Sequence, residues 1–126
     1  MYKVEVSAKE GYRFEARSKD AVIVVDAKAG GMTPPGALLA SLGSCIGVYL
    51  RKYAEGAKLP VGEFTVTVEG DLGSQAPYYF RKISAKVDLK GVSFDEKRLK
   101  AITEFIKNCP VHNTLKNNPE IVVEIG

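Results

Sequence analysis

The sequence predicts an α+β fold in which antiparallel sheets pack around one long, buried central helix. Three observations lead to this prediction. Strand-like runs occur in neighbouring pairs joined by short turns, one uncharged run has helical spacing, and hairpins outnumber crossover connections. The predicted element order along the chain is βββ-α-ββ-α-α-β.

Three strands are predicted ahead of the long helix. Residues 3–7 and 12–17 alternate between apolar and polar side chains on either side of a Glu-Gly turn, which indicates a hairpin. Residues 21–26 form a continuous β-branched run with polar residues on both sides, which is typical of a third strand. The glycine-containing run 28–31 then predicts a loop leading into the helix.

The helix is predicted from residue 37 to about residue 53. Residues 33–50 carry no charge in a chain of which 26% is charged, and Thr33 and Pro34 are typical of the N-cap and first position of a helix. Helical spacing places five residues on one face: Leu38, Leu42, Cys45, Tyr49 and Tyr53. Since the other faces carry Ala, Ser and Gly, we expect protein to surround this helix through most of its length.

The second half of the chain predicts a hairpin, two helices and a strand. Two alternating runs, 63–72 and 79–89, flank a turn and should pair antiparallel. An amphipathic helix opens at residue 93 and ends near residues 107–108, and a short helix starts at Pro110. Residues 120–125 predict a closing strand. The residues of the amphipathic helix expected to face inward are Leu99, Ile102, Phe105 and Ile106.

Length and composition are typical of one folded domain spanning residues 1–126. A chain near this size buries roughly two-thirds of its unfolded surface, so it can form its own core. The first residues lack the apolar core of a signal peptide, and the uncharged run is shorter than the ~20 apolar residues that span a bilayer. We therefore expect a cytoplasmic protein that does not associate with membranes.

Charge and ligand counts exclude two classes of function. The net charge is only +3 and the lysines are dispersed among acidic residues, so no basic stripe for nucleic acid is present. Two cysteines and one histidine are too few for a four-ligand zinc site within one chain. We expect neither nucleic acid nor a metal as a partner.

The two cysteines lie in unlike settings. Cys45 is in the middle of the uncharged helix, where one interpretation is a small buried hydrophobic residue. Cys109 directly precedes Pro110, near a helix N-terminus, which favours a thiolate; simple capping is the alternative interpretation. Such a pair suits two-step thiol chemistry, because a second sulfur must trap a sulfenic acid on the first before it over-oxidises.

Two motifs around these cysteines resemble a known family. The pattern PxxALLASLGSC ends at Cys45, and CPVHNTL begins at Cys109. In this order and at this separation they resemble the two signatures of the OsmC/Ohr family, the osmotically inducible protein C and organic hydroperoxide resistance proteins. The element order resembles that family along essentially the whole chain.

The resemblance implies an intertwined homodimer with two active sites at its interface. Cys45 would be the peroxidatic thiolate that attacks the O–O bond of an organic hydroperoxide, and Cys109 the resolving thiol that closes a disulfide. A dithiol, typically a lipoyl group on a partner protein, would re-reduce the enzyme. The resemblance implies no cofactor: no metal, flavin or haem is required.

The resemblance also implies an active-site arginine. Burial raises the pKa of a thiol, so Cys45 needs a nearby cation to be nucleophilic. The family uses an arginine from an early strand; Arg17 is the matching position and Arg13 the second choice, and a solvated surface charge is the alternative for Arg17. Where the peroxide-reducing branch carries a glutamate that fixes this arginine, the chain has Pro35 and Gly36. Another carboxylate could substitute, the arginine could move freely, or the substrate could differ.

The leading hypothesis is a thiol-dependent organic hydroperoxide reductase. Leu38, Leu42 and Tyr49 would line its apolar substrate cleft. His112 follows Cys109 by one helical turn and would bond that thiol or stand at the cleft rim, unless it is a surface or dimer-contact residue. One rival is a non-catalytic dimer that binds an apolar ligand, with the cysteines as relics or redox sensors. Another is a structural disulfide, which would require an oxidising compartment.

Overall fold

The computed structural model describes all 126 residues and divides the chain into two units, residues 1–40 and 41–126. It confirms the predicted α+β class, with three helices and two antiparallel sheets in the order βββ-α-ββ-α-α. No helix has both the length and the apolar character needed to cross a membrane.

The first unit opens with a three-stranded antiparallel sheet. Its strands are β1 (Glu5–Ala8), β2 (Arg13–Ser18) and β3 (Ala21–Asp26), with β2 in the centre. Both hairpins follow the prediction. The turn between β1 and β2 uses Gly11 at φ 57°, a left-handed conformation that glycine adopts at little cost.

The loop after β3 is organised by the carboxylate of Asp26. Its Oδ1 accepts hydrogen bonds from the backbone N–H groups of Lys28 at 2.8 Å and Ala29 at 3.1 Å. These bonds stabilise the ionised form and lower the pKa of Asp26. The Asp26 N–H in turn donates to the carbonyl of Met32 at 3.0 Å, which brings the chain to the start of the long helix.

The long helix, α1, spans Pro34–Gly56 and is longer at both ends than predicted. Thr33 is its N-cap as predicted, because its Oγ1 accepts a hydrogen bond from the Gly36 N–H at 3.2 Å. The expectation that protein surrounds the helix is wrong for the single chain, in which one stripe is buried and Ser41, Ser44 and Val48 are exposed. The buried stripe consists of Leu42, Gly43, Ile46, Leu50 and Ala54.

The buried stripe of α1 packs on the second sheet, formed by β4 (Thr65–Leu72) and β5 (Phe80–Asp88). These strands pair antiparallel as predicted. A Cβ atom on Gly43 would lie only 3.0 Å from Cγ2 of Val68, so the backbone of α1 approaches the sheet closely. One face of one sheet covers one stripe of a helix, which explains why the opposite side of α1 stays open.

Two short helices follow the second sheet. α2 spans Glu96–Ile106 with Asp95 as its N-cap, and α3 spans Pro110–Asn117. Ile102 of α2 is buried as predicted, but the prediction that Leu99 faces inward is wrong, since it is 44% exposed. α2 has only 11 residues and buries one narrow stripe of side chains. Leu99 lies beside that stripe, so its apolar side chain stays exposed.

The predicted closing strand at residues 120–125 does not form in the single chain. This segment has no regular secondary structure, and its four aliphatic residues are 73–99% exposed: Ile121, Val122, Val123 and Ile125. A strand needs a hydrogen-bonding neighbour, and the two sheets comprise only β1–β2–β3 and β4–β5. The prediction fails because strand-like composition does not supply the partner.

Candidate functional site

A disulfide joins Cys45 in the middle of α1 to Cys109 at the start of α3. The two Cα atoms are 5.8 Å apart, within the roughly 4.4–6.8 Å that a disulfide requires. Neither cysteine is free. The structure thus brings together the two residues that the motifs single out, although they are 64 positions apart in sequence.

The two cysteines differ in how deeply they are buried. Cys109 is fully buried, with 0% of its surface exposed. Cys45 is only half-buried, because it lies between the covered stripe of α1 and the open side of the helix. Of the two cysteines, only Cys45 therefore keeps exposed surface in the single chain.

Cys109 is the N-cap of α3, as its position before Pro110 predicts. Its Sγ accepts a hydrogen bond from the backbone N–H of His112 at 3.4 Å, and its carbonyl accepts one from Asn113 at 3.0 Å. Pro110 has no N–H to leave unsatisfied and its φ suits the first helical position. The sulfur thus faces the positive end of the helix dipole, where negative charge is stabilised.

His112 contacts the Cys109 sulfur with its own backbone and not with its imidazole. The hydrogen bond to Sγ comes from the main-chain N–H, whereas Nδ1 of the imidazole is buried and has no hydrogen-bond partner. The one-turn spacing correctly indicated that His112 lies next to Cys109. It could not show which group of the residue makes the contact.

Three aromatic rings connect α1 to α2 beside the disulfide. The ring of Phe105 lies 6.0 Å from that of Tyr49 and 5.5 Å from that of Tyr53, measured between centroids. Nη1 of Arg98 donates to the Tyr53 hydroxyl at 3.1 Å. Tyr49 follows Cys45 by one turn, and Phe105 precedes Cys109 by four residues. The aromatic cluster of Tyr49, Tyr53 and Phe105 therefore packs the segment that carries Cys45 against the segment that carries Cys109.

The sequence does not reveal this cluster. Helical spacing places Tyr49 and Tyr53 on the face of Cys45 and predicts that Phe105 faces inward, but nothing in the spacing pairs a ring of one helix with a ring of another. The available signal was the i, i+4 pair of tyrosines on α1 together with an aromatic residue on the apolar stripe of α2.

The other predicted site residues lie at several places. Leu42 is only 6% exposed and belongs to the core, Leu38 is 40% exposed, and Tyr49 packs on Phe105. Arg17 lies in β2, exposed, and Arg13 lies opposite Asp26; both belong to the first unit, while both cysteines belong to the second. No three His, Cys, Asp or Glu side chains come together as a metal site.

Comparison with known proteins shows what this chain is similar to. A family model described as OsmC-like protein matches residues 26–124. An OsmC-like protein of Mycoplasma pneumoniae is 23% identical with a TM-score of 0.81, and the match covers 94% of this chain and 89% of that chain. No curated protein matches.

Two further structures share the fold. A candidate redox protein of Lactobacillus casei is 28% identical with a TM-score of 0.69, covering 93% of this chain and 84% of that chain. An organic hydroperoxide resistance protein of Legionella pneumophila is 17% identical with a TM-score of 0.68, covering 94% and 92%. The predicted fold is therefore confirmed.

Replacing Phe105 with Leu should make the disulfide easier to reduce. The substitution removes two ring contacts, each contributing about 0.5–1.5 kcal/mol beyond its burial, so we expect the thiol–disulfide equilibrium to shift roughly tenfold toward dithiol. The measurement is the oxidised fraction in glutathione buffers, read by alkylation and mass spectrometry. Phe64→Leu is the control, because Phe64 contacts α1 at Gly47, away from α2. Equal shifts in both variants would contradict the role of the aromatic cluster.

Proposed function

The chain belongs to the OsmC-like family, and from this premise we propose that it is a cysteine-based reductase of organic hydroperoxides, acting in the cytoplasm under oxidative or osmotic stress. The observation that carries the proposal is the bond between two cysteines in unlike settings. One cysteine is half-buried in the uncharged part of a helix, and the other is buried at a helix N-terminus. A redox function agrees with both the family and the cysteine pair.

In the first step the Cys45 thiolate attacks the distal oxygen of the hydroperoxide. The O–O bond breaks, the alcohol leaves, and Cys45 becomes a sulfenic acid. The partial exposure of Cys45 supports this role, since the attacking sulfur must meet a substrate from solution. The uncharged surroundings favour an organic substrate, whose apolar part would contact the exposed Leu38, whereas the predicted lining residue Leu42 is taken up by the core.

In the second step the Cys109 thiol attacks the sulfenic sulfur. A disulfide forms and water leaves, so that the two electrons taken by the peroxide come from the cysteine pair. The 5.8 Å separation of the Cα atoms supports this step, because the resolving sulfur is already within bridging distance. The His112 N–H, rather than its imidazole, holds the Cys109 sulfur in place.

A dithiol then returns two electrons and two protons to the cysteines. A lipoyl group on a partner protein fits this role, because two thiols on one carrier can release the second sulfur by closing their own ring. Over the cycle, one hydroperoxide and one dithiol become one alcohol, one water and one cyclic disulfide. No further cofactor is needed to balance the reaction.

Single-turnover oxidation of cysteine variants tests this proposal. With cumene hydroperoxide, we expect the wild-type protein to form the Cys45–Cys109 disulfide, Cys45→Ser to lose turnover, and Cys109→Ser to stop at a sulfenic acid that dimedone labels on Cys45. The readout is peptide mass spectrometry. Labelling of Cys109 in Cys45→Ser as readily as of Cys45 in Cys109→Ser would reverse the roles. Two unmodified thiols in the wild-type protein after excess peroxide would favour the ligand-binding alternative.

Arg17 is proposed as the cation that stabilises the Cys45 thiolate. An opposite charge within roughly 4–6 Å shifts a thiol pKa by about 1–3 units, so we expect Arg17→Ala to slow the first step about tenfold at neutral pH. Resolution by Cys109 should stay nearly unchanged. Arg13→Ala is the matched control from the same strand. A slower first step in Arg13→Ala and not in Arg17→Ala would transfer the role to Arg13.

We propose further that the working unit is a homodimer. The single chain leaves the aliphatic residues of 121–125 and the open side of α1 without cover, which is unfavourable for a free monomer. We expect a dimer at micromolar concentration by sedimentation equilibrium. Val123→Lys should weaken it at least about tenfold by charging an apolar contact, whereas Gln75→Lys, in an exposed turn, should not. A well-folded wild-type monomer would refute the dimer.

A further inference from the structure

The difference between the two sulfurs bears on how the disulfide is opened. Thiol–disulfide exchange is a displacement in which the attacking thiolate approaches one sulfur and expels the other. The attacked sulfur must be reachable, and the expelled sulfur must carry negative charge. Accessibility and charge stabilisation are therefore separate requirements, and each can be assessed for Cys45 and for Cys109.

Accessibility favours attack on Cys45. Cys109 is 0% exposed, held between the end of α2 and the first turn of α3. Its N–H donates to the carbonyl of Ile106 at 3.0 Å, so its backbone is also fixed at the helix junction. Cys45 keeps part of its surface exposed in the single chain. Burial that is complete in the single chain stays complete in any assembly of chains, so Cys109 is the cysteine that an incoming thiolate does not meet.

Charge stabilisation favours the departure of Cys109. Its Sγ already accepts the His112 N–H at 3.4 Å in the disulfide, so the donor is in place before the bond breaks. The N-terminal end of α3 adds its dipole, which is favourable for an anion at the N-cap. Cys45 in the middle of α1 is surrounded along the helix by Ser41, Gly43, Ser44 and Gly47, far from either helix end.

We infer that reduction of this disulfide is regioselective: the reducing thiolate attacks Sγ of Cys45, and Cys109 leaves as a thiolate stabilised at the N-terminus of α3. The new bond is a mixed disulfide between the reductant and Cys45, and the bond that breaks is Cys45–Cys109. With a dithiol, the second thiol attacks the reductant's own sulfur in that mixed disulfide and releases Cys45, while Cys109 takes a proton.

This inference rests on the proposed function only in treating the bond as one that is opened in each cycle. Its test needs no hydroperoxide, since any oxidant that closes the disulfide provides the starting material. A chain without peroxidase activity could still show the regioselectivity, and an active peroxidase could lack it. Failure of the one is therefore distinguishable from failure of the other.

The first experiment locates the mixed disulfide in the wild-type protein. Oxidised protein is mixed with the monothiol N-acetylcysteine, quenched with acid at successive times, and its free thiols are blocked with N-ethylmaleimide in denaturant. Peptide mass spectrometry should find N-acetylcysteine on Cys45 and N-ethylmaleimide on Cys109 in the singly modified species. N-acetylcysteine on Cys109, or equal amounts on both cysteines, would overturn the inference.

The second experiment tests the leaving group through the rate of reduction. It decides which sulfur is attacked if the Cys45–Cys109 disulfide re-forms before acid can trap the mixed disulfide. His112→Pro removes the N–H that donates to Sγ, at a first-turn position where proline is tolerated, and His112→Ala removes the same imidazole but keeps the N–H. We expect reduction by the monothiol to be about tenfold slower in His112→Pro than in His112→Ala, because a leaving thiolate loses a charge-assisted hydrogen bond. Equal rates in two folded variants, judged by circular dichroism, would overturn the inference.

Discussion

The close packing of α1 on β4 is the constraint from which the rest of the candidate site follows. Gly43 has no side chain, and a Cβ there would lie 3.0 Å from Val68. The backbone of the helix can therefore approach the sheet, which fixes its rotation about its own axis. That rotation buries the stripe running from Leu42 to Ala54 and leaves Ser41, Ser44 and Val48 on the opposite side. Cys45 lies at the boundary between the two and is half-buried in the single chain.

The second sulfur, that of Cys109, is brought to Cys45 by the short junction between α2 and α3. α2 ends at Ile106 and α3 begins at Pro110, with Cys109 between them. The contacts of Phe105 with Tyr49 and Tyr53 hold the end of α2 against α1. Because α3 starts at a proline, its direction is set directly after Cys109, and its N-terminus points at the sulfur. The junction between α2 and α3 thus sets both the position and the electrostatic environment of Cys109.

Sequence was sufficient wherever a feature depends on neighbouring residues. Thr33 as N-cap of α1, β3 as a continuous β-branched run, and Cys109 as N-cap of α3 each follow from a few adjacent side chains. It was insufficient where the answer depends on a distant partner. Residues 120–125 have strand composition but no strand beside them, and Leu99 is apolar but lies off the contact stripe.

The same division applies to the candidate site. The pairing of Cys45 with Cys109 came from the resemblance of two motifs to a family, since no local pattern joins residues so far apart in sequence. The Phe105 contacts were missed because they depend on the mutual orientation of α1 and α2. For His112 the spacing gave the right neighbour but not the group in contact, because a backbone N–H carries no sequence signal. The role of Arg17 stays a prediction.

Pro35 and Gly36 carry no carboxylate, so a carboxylate partner for Arg17 has to come from elsewhere in the chain. Glu5 on β1 is directly opposite Arg17 in the strand register, and an opposite-charge pair across strands is favourable by about 0.2–1 kcal/mol. Both residues are exposed, and the ion pair that Glu5 makes is with Lys3, whose Nζ lies 3.5 Å from its Oε1. A carboxylate on a strand fixes the guanidinium less firmly than one buried beside the cysteine would.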